Sequence, residues 1–182
     1  MVTEIRNSFA RWFPPQKEKE EVMPEIAGGA TAGVGLSKIV SFDEHKFNTQ
    51  DIYPKKSPLG LFFENVKKGN YARAGGRALI NSVVTPVIEE SLFRGYMLNP
   101  TKPQTKVDKA KDSLLNSALF AAAHFDPRTP LKVTAHAMPR LFIAGTALCA
   151  MTEMTGDLWA ATSAHTTSNA IAFKKAAMKA HK

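Results

Sequence analysis

Residues 79–98 read LINSVVTPVIEESLFRGYML, twenty mostly apolar residues interrupted by Glu89, Glu90 and Arg94. A run of this length is enough for one helix to cross a hydrocarbon layer, and an uncompensated charge at its centre costs roughly 2.5–3.5 kcal/mol on the insertion scale. Three charges within six positions therefore mark a site. Glu90 and Arg94 are four residues apart and share a helical face, with the acid N-terminal to the base, the favourable order for an ion pair. Glu89 lies about 100° round the helix and stays free to meet other elements. Read alone, the segment favours a site over the plainer reading, a buried ion pair with one snorkelling Glu.

Two further constellations argue for chemistry. Phe120-x-x-x-His124 lies in SLLNSALFAAAHF and His165-x-x-x-Asn169 lies in GDLWAATSAHTTSNAIAF, both stretches of small and apolar residues compatible with helices. Each histidine taken singly reads as a satisfied core residue. Together with Glu89, Glu90 and Arg94 they bring a base, an orienting group and hydrogen-bond donors from three helices.

In residue type and order, these motifs resemble the CPBP family, the CAAX protease and bacteriocin-processing (Abi) intramembrane endopeptidases. The resemblance is carried by Glu89, Glu90, Arg94, Phe120, His124, Gly156, Leu158, Trp159, His165 and Asn169, and runs from about residue 77 to 173. It implies an all-α, multi-helix transmembrane bundle with a core of about four helices, preceded by a polar N-terminal extension. The expected division is an extension over 1–70, partly irregular, and a CPBP-like protease core over 71–182. Expected spans are 79–98, 113–125, 138–155 and 157–173, the second of them short.

Peptide hydrolysis needs an activated water and donors for the oxyanion that forms on the scissile carbonyl. Glu89 is the expected general base, His124 helps bind and orient the water, and His165 with Asn169 stabilises the oxyanion, while Arg94 holds Glu90. A zinc-assisted variant, with His124, His165 and a glutamate as ligands, stands beside metal-free hydrolysis. The implied partners are membrane lipid and a membrane-anchored peptide or protein, either a prenylated CaaX tail or a bacteriocin-like leader. The alternative is a non-catalytic CPBP-derived membrane protein with an immunity or assembly role.

Composition pulls partly the other way. Mean hydropathy is −0.19 and 22% of residues are charged, near the average for globular proteins. Much of that polarity lies in KEKEE at 17–21 and in residues 42–68. If the core helices alternate in direction, the basic residues gather on one side, which places both termini on the cytoplasmic face by the positive-inside rule. The net charge of +8 then reflects lysines beside anionic lipid. No nucleic-acid partner is expected, since no zinc-finger spacing, aromatic RNA-binding signature or basic-region heptad is present.

Elsewhere the readings are plainer. Residues 1–13 have the pattern of a short helix for a membrane or protein surface, stopped by Pro14 and Pro15. Gly29-x-x-x-Gly33 would suggest close helix packing in a long apolar helix, but in a Gly-rich stretch of fifteen residues a loop or broken helix is the plainer reading. His45 and His136 read as loop residues, and Cys149 as a small buried hydrophobe. Pro86, three residues before Glu89, is expected to kink its helix.

Overall fold

In the computed structural model the residues described are 12, 19–41, 47, 49–98, 104–127 and 129–181. Among them the chain is all helical: α1 (Lys19–Val40), α2 (Thr49–Ile52), α3 (Pro58–Lys67), α4 (Tyr71–Leu79), α5 (Thr85–Glu90), α6 (Lys106–Ala123), α7 (Leu131–Thr155) and α8 (Trp159–Ala180). Two π-helical stretches, Ile80–Val84 and Ser91–Met97, flank α5, so residues 71–97 form one continuous helical path. The short N-terminal helix expected over 1–13, apart from Trp12, lies outside the described residues, as does His45.

Local chemistry sets the boundaries. Ser57 caps α3 by accepting from Gly60 N at 3.0 Å, with Pro58 in the first turn, where its missing N–H costs nothing. Thr105 and Asp108 close a reciprocal capping box at the start of α6. Gly156, at φ 77°, ends α7 in the left-handed conformation that glycine adopts without a Cβ clash. Immediately after it, Asp157 Oδ1 accepts from Trp159 N at 2.9 Å and turns the chain into α8.

The last helix, α8, is the spine of the packing. Along one side lies α1, and here the loop expected around Gly29 and Gly33 is instead regular helix. A Cβ at either glycine would run into the backbone of Ala160 or Ala164, so the glycines let two helices approach to near backbone contact. Leu36, Phe93, Phe120, Ala144, Leu148, Ala161 and Ala164 form the core beneath the site. A second core joins Ile52, Tyr53, Phe62, Phe63 and Val66 to Ala74, Phe173 and Ala176, fastening the 49–67 segment to the far half of α8. His136 lies within α7, not in a loop, with its ring 5.2 Å from that of Phe47.

The expected helices are present, but the expected spans differ. Among the described residues no helix is long and apolar enough to cross a membrane. The reason is visible in the sequence of each element. The second expected span begins seven residues earlier, at Lys106, and takes in KVDKAKD; α8 carries His165, Asn169 and three lysines with its Thr and Ser residues. Expected positions 79–98 fall on the helical path of residues 71–97, in which Asn81, Thr85, Glu89, Glu90 and Arg94 interrupt the apolar surface.

Candidate active site

The centre of the molecule holds a buried ion pair. Arg94 and Glu90 are both fully buried, with Arg94 Nη1 donating to Glu90 Oε1 at 3.1 Å. Arg94 Nη2 donates to the Gly145 carbonyl at 3.0 Å, and its guanidinium lies 4.4 Å from the Phe120 ring centroid. One arginine thus ties the Glu-bearing helix to both α6 and α7. Glu90 does more than balance that charge. Its Oε1 lies 2.8 Å from His165 Nδ1 on α8. A carboxylate oxygen accepts, so the Nδ1 proton of His165 points at Glu90 and Nε2 faces the other way.

His124 is fixed by a parallel device. It follows the last turn of α6, and its Nδ1 lies 2.7 Å from the Phe120 carbonyl, which again accepts. Its Nε2 is thereby presented to Glu89, as is that of His165. Glu89 Oε2 stands 3.8 Å from His124 Nε2 and 3.5 Å from His165 Nε2. That oxygen is buried and makes no direct hydrogen bond. These separations exceed a direct hydrogen bond and suit groups that share one small molecule between them.

Asn169 stands one turn beyond His165, and its Nδ2 donates to the Asn81 carbonyl at 3.0 Å. Asn169, Asn81, Thr85, Glu89 and His124 line a cavity of about 430 Å³. Its opposite wall is apolar, with Val133, Met138 and Leu141 from α7 and Phe173 from α8. Asp51, Ile52, Pro54, Pro58 and Leu59 also line it. The structure therefore gathers Glu89, Glu90, Arg94, His124, His165 and Asn169 around one region. Sequence reading missed Asn81, Thr85 and the 51–59 wall, none of which belongs to a motif. The nearest signal was the Ile52, Tyr53, Phe62, Phe63 cluster, which needs an apolar partner.

The donor types of Glu89, His124 and His165 suit zinc. Among the described residues, however, no group of three or more His, Cys, Asp or Glu side chains meets the spacing needed to hold a metal ion. Cys149 is fully buried against Asn116 and Ser117. Burial pushes its thiol above the ordinary value, outweighing the nearby Arg94.

Trp12 adds a contact from the N-terminal segment. Its indole Nε1 donates to Ser91 Oγ at 3.0 Å, its carbonyl accepts from Trp159 Nε1 at 2.6 Å, and the two indoles meet edge to face. The latch lands on the residue that follows Glu90.

A family model described as type II CAAX prenyl endopeptidase Rce1-like matches residues 74–171, more than half of the chain. The match takes in every motif residue gathered at the site. Comparisons with curated proteins and with solved structures find no match.

Proposed function

The chain belongs to the type II CAAX prenyl endopeptidase Rce1-like family, a protease family, and from that premise we propose that it is a membrane-associated endopeptidase in which Glu89 activates the hydrolytic water. One observation carries the reading: two imidazole Nε2 atoms and the Glu89 carboxylate converge from three helical elements. In its neutral form His124 offers a lone pair there, because its Nδ1 proton is committed to the Phe120 carbonyl. A water between them donates one hydrogen to Glu89 and one to His124, turning its own lone pair toward a peptide carbonyl in the cavity.

As the water oxygen bonds to the carbonyl carbon, Glu89 takes the water's proton. The carbonyl oxygen gathers negative charge. Asn169 donates to it from its amide, and His165 donates from Nε2 when doubly protonated, with the Glu90–Arg94 pair behind its other nitrogen. Collapse of the tetrahedral intermediate breaks the C–N bond, and Glu89 returns the proton to the departing amine. No step calls for a metal.

The substrate is a peptide held at a membrane, a prenylated CaaX tail or a bacteriocin-like leader. An apolar strip supports the membrane part of this reading. Ile80, Val83, Val84, Val87, Ile88 and Leu92 are exposed along one face of the site helix, and Leu114, Leu115 and Leu119 are exposed on α6. We place these faces against lipid, with the basic surfaces and both termini on the cytoplasmic side. The test is cleavage of a panel of lipidated and unlipidated peptides in vesicles. Activity confined to lipidated peptides supports the reading, and the same rate on soluble peptides without vesicles overturns its membrane part.

A further inference from the structure

The π-helical turn before α5 gives Pro86 a task in the reaction. Thr85 donates its N–H to the Ile80 carbonyl, five residues back. Continuing that register, the next acceptor is the Asn81 carbonyl, and the residue due to supply its donor is Pro86, which has no N–H. The donor comes instead from 88 residues further along the chain, as Asn169 Nδ2 reaches the Asn81 carbonyl at 3.0 Å. Pro86 is itself buried, so the exchange takes place inside the packed helix and not at a frayed end.

A carbonyl oxygen only accepts, so this contact fixes which end of the Asn169 amide faces the helix. The NH2 group carries two hydrogens. One is used on Asn81, and the second is left for the cavity that Asn169 lines together with Glu89 and His124. We infer that Pro86 is a positioning residue: by withholding an N–H from the Asn81 carbonyl, it makes that carbonyl the anchor that orients the Asn169 amide toward the oxyanion of the bound peptide. The inference rests on the hydrolytic reading above. It also explains why a proline, costly inside a helix, sits three residues from the proposed base.

The test is Pro86→Ala in the full chain, assayed on a farnesylated CaaX peptide in phosphatidylcholine–phosphatidylglycerol vesicles. Alanine restores the N–H and competes for the Asn81 carbonyl. The expected result is a kcat lowered about ten- to hundredfold, below the roughly 10²–10³-fold loss for deleting an oxyanion donor outright. KM should stay within about twofold and the unfolding midpoint should not fall, since the helix gains a hydrogen bond. In an Asn169→Ala background the same change should cost nothing further, because its effect runs through that amide. An unchanged kcat, or an equal loss in the Asn169→Ala background, overturns the inference.

A crystal structure of Pro86→Ala supplies a readout independent of turnover. The restored backbone N–H should bond the Asn81 carbonyl, with Asn169 Nδ2 turned away; Nδ2 still at its present hydrogen-bond distance overturns the anchoring. Cleavage that persists in Glu89→Gln sinks the hydrolytic reading instead, while leaving the anchor geometry to be judged from that crystal structure.

Discussion

His165 Nδ1 lies 2.8 Å from Glu90 Oε1, the same oxygen that accepts from Arg94 Nη1 at 3.1 Å. The buried carboxylate therefore works in two directions, neutralising an arginine that ties three helices together and aiming an imidazole at Glu89. The stability of the core and the aim of the His165 ring meet in one side chain.

Replacing Glu90 by Gln leaves Arg94 buried without its counter-charge. Loss of one partner of a buried pair costs about 3–5 kcal/mol, and denaturant unfolding should register a loss of that size. The exposed pair Lys68–Glu64, at 3.8 Å, is the control, and Glu64→Gln should change stability by less than about 1 kcal/mol. Equal effects at the two positions would contradict the buried-network account.

Gly33→Leu should drive α1 away from α8, because even a Cβ there meets the Ala164 backbone and the Thr167 side chain. Overpacking of this kind costs about 1–3 kcal/mol or more. Gly35, in the same helix, has open space at its Cβ position, so Gly35→Ala should leave the unfolding midpoint unchanged or raise it.

Trp12→Phe keeps a ring against Trp159 and removes the donor to Ser91. A loss of about 1 kcal/mol is expected from the hydrogen bond, and about 3 kcal/mol or more for Trp12→Ala, which empties a buried aromatic site. Thermal unfolding of both variants checks the order, and a Phe variant as unstable as the Ala variant would mean that the hydrogen bond outweighs the packing.

Much of this site was legible because its residues are expensive. Glu89, Glu90 and Arg94 stand out in an apolar run, and His124 and His165 stand out among small residues, so their residue types and motif order together announced them. Their division of labour was not legible. Helical spacing paired Glu90 with Arg94 but gave no hint that His165, 75 residues away, shares the same oxygen. Likewise Gly29 and Gly33 look like helix breakers until α8 is laid beside them, since a small-residue face has value only against a partner. The Asn81 carbonyl is a backbone group and leaves no trace in residue type. The four expected spans rested on helical periodicity, which tolerates polar residues; among the described residues none of the helices at those positions is long and apolar enough to cross a membrane.

Cys149 offers a pH test. Its thiol is raised by burial in the folded chain above the ordinary 9.0, so the folded state binds the proton more tightly than the unfolded one. Stability is unaffected well below that value and falls as pH rises through it; Cys149→Ala should flatten this decline. A thiol-directed reagent should label Cys149 only on unfolding, and rapid labelling of the native protein would contradict its buried placement.

Cleavage should also survive a strong chelator, as the proposed water activation uses only protein groups. Loss of activity that is restored by added zinc would transfer the water to a metal.

The most direct test compares the wild-type chain with Glu89→Gln on a membrane-held peptide in ¹⁸O-labelled water, with fragments read by mass spectrometry and folding checked by unfolding midpoint. The account predicts that the wild type cuts one peptide bond and places ¹⁸O in the new carboxylate, while Glu89→Gln folds normally and cuts at least about 10²-fold more slowly. Wild-type-like cleavage by folded Glu89→Gln would contradict it.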